Sequence, residues 1–192
     1  GGTGAAPLEF TDHVGAPLQE GLLLVHNTLV GLNLRQHIRI GAAGKIVSAF
    51  DIARTCALGA DWCNAARGFM FAVGCIQSQS CHTDRCPTGV ATQDPTRSRA
   101  LDVPDKMQRV VNFHDATLRE LAEMTAAAGL EHPNDFKPIH ISRRVSAREV
   151  ITFADLYPPL AEGALLAGTA PPRWMQPWAM ADAGSFRAVT QS

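Results

Sequence analysis

Three cysteines fall within one short run, CIQSQSCHTDRCPTGVATQDP, where Cys75, Cys81 and Cys86 stand at spacing C-x5-C-x4-C. Clustered thiolates suit soft metal centres, either zinc or an iron–sulfur cluster. A structural zinc ion takes four ligands, and the fourth donor on offer is His82, directly beside Cys81, an awkward pair for one tetrahedral ion. A cubane cluster lacking one corner needs three ligands, and Pro87 after the last cysteine matches a habit of cluster-binding loops. The bland alternative is a set of incidental reduced thiols; three of the chain's five cysteines in one run weigh against it.

A second group of residues with chemical potential lies upstream. Gly44-Lys45 and Arg67-Gly68 each place a glycine beside a cation, and each follows a short segment that reads as a strand. In (β/α)8 barrels the loops after strands seven and eight often form a phosphate site from backbone amides and a helix N-terminus. The competing reading is a pair of ordinary turns with solvated cations, and the loops alone do not name a ligand. Cys56 and Cys63 read as small core residues. His26 and His114 read as scaffold histidines within helices, and Met70 and Met107 as core filler.

The elements that must position these groups follow from periodicity. Leu18, Leu22, Val25, Leu29 and Leu32 define one face of a helix from Pro17 to about Gln36. HIRI (37–40) is a short β-branched run expected as a strand, followed by the glycine loop. A second helix is expected from Ala49 to Leu58, stopping at Gly59, with Ile52, Ala53 and Ala57 inward. ADWCNA (60–65) reads as the second strand. Loop, helix and strand thus alternate, which implies parallel strands joined by helical crossovers.

The opening GGTGAAP is a glycine cluster with no strand ahead of it, although such loops normally follow one. A whole barrel takes about 250 residues. The βα units visible here would supply only its last quarter to third, so the chain reads as a fragment of the C-terminal part of a barrel with a helical extension. Three regions are expected: 1–95 with the barrel portion and cysteine loop, 96–137 with a linker and a long helix (about Lys106 to Ala128), and 138–192 as an extended C-terminal tail. HPNDFKP is a turn region. Ser146 with Glu149 reads as a capping box for a short helix through Leu156.

Composition closes off several functions. Lys+Arg number 17 against 18 Asp+Glu, with no basic run, so no nucleic-acid partner is expected. An odd number of cysteines and no leader-like segment point to a reducing, cytoplasmic setting. The most apolar window, GLLLVHNTLVGLNL, is interrupted by His26, Asn27 and Asn33, so no membrane span is expected.

Together, GGTGAAP, GLNLRQHIRI, DIARTCALGADWCNAARGFMFAVGC and C-x5-C-x4-CPTGVATQDP resemble the C-terminal part of the synthase domain of glutamate synthases. They resemble more closely the FMN-binding glutamate synthase-like proteins that lack a glutaminase domain. The resemblance is specific over about residues 1–95 and looser over the long helix, the RRVS segment and the Trp-containing tail. It implies an FMN-holding (β/α)8 barrel beside a three-iron (3Fe-4S) cluster that passes electrons to the flavin. The implied reaction is reductive amination of 2-oxoglutarate, through 2-iminoglutarate, to L-glutamate. Its partners would be 2-oxoglutarate, free or glutamine-derived ammonia, and an electron donor such as ferredoxin or an NAD(P)H-dependent subunit. On this sequence the resemblance makes Cys75, Cys81 and Cys86 the cluster ligands and Gly44, Lys45, Arg67 and Gly68 the holders of the FMN phosphate. Gly1, Gly2, Thr3 and Gly4 would form a loop at the flavin or substrate face. No catalytic residue is assigned. The sequence departs from the family's D-G-x-x-x-T-G loop, with Ser48-Ala49 where Thr-Gly would stand. A reading from another class is a non-catalytic iron–sulfur or zinc module that kept the cysteine loop alone.

Overall fold

The computed structural model describes residues 6–185. Its elements are mixed α/β: helices α1 (Leu8–Asp12) and α2 (Leu18–Gly31), strand β1 (Gly41–Ala43), helix α3 (Ala49–Ala57), strand β2 (Trp62–Asn64) and helix α4 (Ala66–Ala72). The cysteine run follows, then α5 (Pro95–Ser98), α6 (Val103–Ala127), β3 (Ser142–Arg144), β4 (Val150–Thr152), α7 (Phe153–Leu156) and α8 (Pro172–Ala179). β1 and β2 pair in parallel, with Gly41 opposite Trp62 and Ala43 opposite Asn64. β3 and β4 form an antiparallel hairpin.

The expected alternation is present as β1–α3–β2–α4. Its first strand begins at Gly41, directly after HIRI (37–40), because much of the backbone of that run is already claimed. Arg35 donates to the Ile38 carbonyl at 2.7 Å, and the Ile40 N–H goes to the Asp61 carboxylate at 2.7 Å. Groups bonded to side chains cannot extend a ladder.

Helix α3 is the hub of the core. Ala53 and Ala57 are buried as the sequence suggested, Ala49 is buried beside them while Ile52 is only partly so, and these alanines join Leu22, Leu121, Phe136, Ile141 and Phe153 in one cluster. Small side chains there let α6 approach closely. Its start is secured by a capping box the sequence reading did not single out. Ser48 Oγ accepts the Asp51 N–H at 3.2 Å, while Asp51 Oδ2 accepts the Ser48 N–H at 3.0 Å; such caps contribute about 1 kcal/mol.

Four expectations need correction. On α2 the buried positions are Leu22, Asn27 and Gly31, whereas Val25 is 48% exposed. Met107 is 62% exposed on α6 and fills no core. The polar linker after Asp94 holds α5, whose first amides are capped by the Asp94 carboxylate. Ser146 and Glu149 start no helix: the Val145 and Ser146 N–H groups both donate to the Glu149 carbonyl, closing the β3–β4 turn. The β-branched run Val150–Thr152 that follows fits a strand better than a helix. The cap in use is Thr152, whose side chain accepts the Asp155 N–H at the start of α7.

Beyond Tyr157 the chain wraps a surface and also forms α8. Leu160, Ala164, Leu165 and Ala170 make a second small core against Leu32 and Trp174. Gly31 permits this docking, since a Cβ there would stand 2.7 Å from Leu160 Cδ2 and from Leu165 Cγ. No helix among the described residues is long and apolar enough to cross a membrane.

Candidate functional site

Parallel pairing decides where the two glycine–cation loops meet. Because Ala43 and Asn64 are register partners, both strands end at the same sheet edge, and Gly44-Lys45 and Ala65–Arg67 emerge side by side. Lys45 sits in the left-handed region at φ 53°. Arg67 is half-buried in the first turn of α4, with no ion pair to a described residue. Gly68 is buried in the same turn. A Cβ there would lie 2.8 Å from Phe113 Cζ and 3.3 Å from the Val47 carbonyl, so its bareness brings the first loop, α4 and α6 together. Phe69 packs edge-on against Phe113 beside it, ring centroids 5.2 Å apart.

The donors left for an anion at this edge are narrowed by Asp51. Its Oδ2 takes the Val47 and Ser48 N–H groups, at 3.1 and 3.0 Å, and its Oδ1 takes Arg54 at 2.9 Å. Burial alone would raise the Asp51 carboxyl, but these amides, the Ser48 hydroxyl and Arg54 hold it below the usual carboxylate range. The amides at Val47, Ser48 and Asp51 are therefore engaged within the loop, and an anion would rely on the Gly44–Lys45 turn and the start of α4.

Helix α4 ties that edge to the cysteine loop across about 10 Å, two turns at 1.5 Å per residue. It ends with Gly74 at φ 106°, the Gly74 N–H on the Phe71 carbonyl and the Cys75 N–H on the Met70 carbonyl. This is the bonding of a Schellman motif, and it sets the direction in which Cys75 leaves the helix. Cys75 Sγ accepts the Gln77 N–H at 3.5 Å. Cys81 opens a single 3-10 turn, Cys81–Thr83, and His82 beside it is exposed.

Asp84, in the left-handed region at φ 62°, then closes the loop on itself. Its Oδ1 accepts the Gln93 N–H at 2.6 Å and the Thr92 hydroxyl at 2.9 Å, while Thr92 Oγ1 also donates to the Asp84 carbonyl. Inside this closure Cys86 is buried. Burial raises its pKa, but the Thr88 hydroxyl, 3.5 Å from the sulfur, and the Ala91, Thr88 and Val90 amides outweigh it and bring the thiol to about 7. A sulfur cradled by several N–H donors fits the deprotonated state in which thiols bind metals. Asp84, Thr88 and Thr92 organise the loop, and the sequence reading missed them; the only available signal was their turn-forming residue type.

Among the described residues no group of three or more His, Cys, Asp or Glu side chains converges closely enough to hold a metal ion. Cys75, Cys81 and Cys86 share one loop, and their donor chemistry fits a soft metal cluster. Gly1, Gly2, Thr3 and Gly4 lie outside the described residues. Cys56 is buried as expected and Cys63 half-buried. The interaction of the two thiols lowers the Cys56 pKa and raises that of Cys63. His26 is a scaffold residue: its Nδ1 accepts from Arg35 Nε at 3.1 Å.

A parallel βα edge with two glycine–cation loops, joined by one helix to a thiol-rich loop, describes a mixed α/β protein. The family model described as the conserved region in glutamate synthase matches residues 1–131. The chain therefore belongs to the glutamate synthase family. It is 42% identical over 156 residues to the glutamate synthase large subunit-like protein YerD of Bacillus subtilis, covering 81% of this chain and 30% of that one. It is 39% identical over 130 residues to an archaeal glutamate synthase (NADPH) of Methanocaldococcus jannaschii, covering 68% of this chain and 26% of the relative. A ferredoxin-dependent glutamate synthase of Antithamnion sp. is 38% identical over 130 residues, 67% of this chain and 8% of the relative. The chain thus spans less than a third of the length of each of these relatives.

Proposed function

We propose that this chain carries the phosphate side of an FMN site and the cysteine loop of a three-iron cluster in a glutamate synthase-type oxidoreductase, and corresponds to the C-terminal part of its (β/α)8 barrel. The observation that carries the reading is the shared edge: β1 and β2 end side by side, and α4 runs from Arg67 and Gly68 at that edge to Cys75. In this reading the whole enzyme converts 2-oxoglutarate and ammonia to L-glutamate. The ammonia is free or derived from glutamine, and the electrons come from ferredoxin or an NAD(P)H-dependent subunit, a reading supported by the similarity to a ferredoxin-dependent and an NADPH glutamate synthase.

When bound, the flavin and cluster supply the electron-transfer chemistry. The chain's own contribution is to bind and orient. Arg67 offers a bidentate, permanently charged fork suited to a phosphate monoester. The Gly44–Lys45 turn lets backbone approach the same anion. Gly68 keeps α4 pressed onto the first loop, so the two cations stay at one edge. The N–H donors around Cys86 keep its sulfur ready to ligate, and the Asp84 clasp holds the loop that presents it.

The test is the iron, acid-labile sulfide and zinc content of anaerobically purified protein, with its visible spectrum. Iron and sulfide in about the ratio of a three-iron, four-sulfide cluster are expected. Zinc without sulfide would replace the cluster reading with a structural metal module.

A further inference from the structure

A cavity of about 420 Å³ opens at the opposite end of β2, where Gly59, Ala60 and Asp61 lead into the strand. It lies between the middle of α2, the C-terminal end of α3 and the Asn134–Ile139 segment, away from the glycine–cation loops. Its size falls in the range of small-molecule sites, roughly 300–1,000 Å³.

The polar groups of this cavity divide into two sets. Arg35 and Asp61 are saturated: Arg35 donates to His26, to the Ile38 and Gly59 carbonyls and to Asp61 Oδ2 at 2.8 Å, while Asp61 also accepts from Arg39 and the Ile40 N–H. The charges of Arg35 and Asp61 offset each other, and Arg39, which also pairs with Asp61, is exposed and does not line the cavity. His26 adds no charge near neutrality, since burial and then the Arg35 guanidinium lower its pKa. The side chains of Asn134 and Lys137, by contrast, have no hydrogen-bond or ion-pair partner among the described residues. Among the described residues Lys137 is the one lining charge without a counter-ion. Leu23, Ala57, Phe136 and Ile139 supply walls that offer no hydrogen bond.

We infer that this cavity binds a small monocarboxylate with an apolar body, the carboxylate held by the Lys137 ammonium and the Asn134 amide and the body by Leu23, Ala57 and Phe136. One uncompensated cation calls for one negative charge. A dianionic phosphate would leave a charge unmatched against Asp61, and an amine would meet Lys137 with like charge. The site is separate from the cofactor loops and independent of what they bind.

Hexanoate is the probe, titrated into the 192-residue chain by calorimetry and by amide NMR, with hexanol and hexylammonium as matched controls. Hexanoate is expected to bind and to shift the Gly59, Asn134 and Phe136 amides, whereas the controls bind at least about tenfold more weakly, the discrimination one charge-assisted contact supplies. Lys137→Gln, a change at an exposed side chain, is expected to weaken hexanoate about tenfold or more with unchanged circular dichroism, and Asn134→Ala to weaken it less. Equal binding of hexanoate and hexanol, unchanged affinity in Lys137→Gln, or shifts confined to another surface would each overturn the site.

Discussion

The side-chain oxygen of Asn27 accepts the backbone N–H of Leu160 at 2.8 Å, joining α2 to a segment 133 residues further along the chain. Its amide nitrogen donates to the Leu23 carbonyl at 2.9 Å, so both ends of a buried polar side chain are used. Asn27→Ala leaves the buried Leu160 N–H without a partner. A loss of about 1–3 kcal/mol in urea unfolding is expected, with earlier proteolytic cleavage near residue 160. A loss below about 0.5 kcal/mol, the size of an ordinary surface change, would mean the contact does not hold the tail.

Gly68 makes a packing prediction that separates fold from cofactor. A Cβ there meets the Phe113 ring, so Gly68→Ala is expected to destabilise by about 1–3 kcal/mol through overpacking. Adding Phe113→Leu should recover most of that loss, a coupling a double-mutant cycle measures. Additive losses would show that the two positions do not meet.

Acid stability follows from two carboxylates. Burial alone would raise Asp61, but the Ile40 N–H, Arg39 and Arg35 outweigh it, and Asp51 is likewise held low by its capping contacts. Folded pKa values below the unfolded value of about 4 give stabilisation that is complete above that value and is lost as pH falls through the folded values. Urea midpoints taken from pH 7 to pH 3 should therefore drop below about pH 4. Asp61→Asn should flatten that drop; an unchanged slope would count against the assignment.

For the cysteine loop, Cys81→Ser is expected to remove iron and brown colour while circular dichroism stays near wild type, because Cys81 is only half-buried. Cys86→Ser should remove iron and also lower stability, since its sulfur is buried among its own loop's amides. Full iron retention in either variant takes that residue out of the ligand set.

Arg67→Ala in the holoenzyme is expected to reduce retained flavin about tenfold or more, by removing a charge-assisted contact to phosphate. Flavin absorbance after gel filtration measures it. Unchanged flavin content would leave Arg67 without that role.

Local patterns were legible in the sequence wherever local chemistry decides. The apolar spacing of α3, the presence of the long helix α6, the βαβ alternation and the run of three cysteines depend on residues close in the chain. Tertiary structure decided what depends on distant partners. HIRI looks like a strand, but Arg35 and Asp61 take its backbone groups and move the ladder to Gly41–Ala43. Ser146 and Glu149 look like a cap, but their backbones close a hairpin because the β-branched residues that follow pair with 142–144. Val25 and Met107 keep helical spacing yet face outward, since burial is set by which neighbour packs against a helix and not by its period. The side-by-side loops are likewise a tertiary fact: glycine and cation types are visible in the chain, but only the Ala43–Asn64 register puts them on one edge.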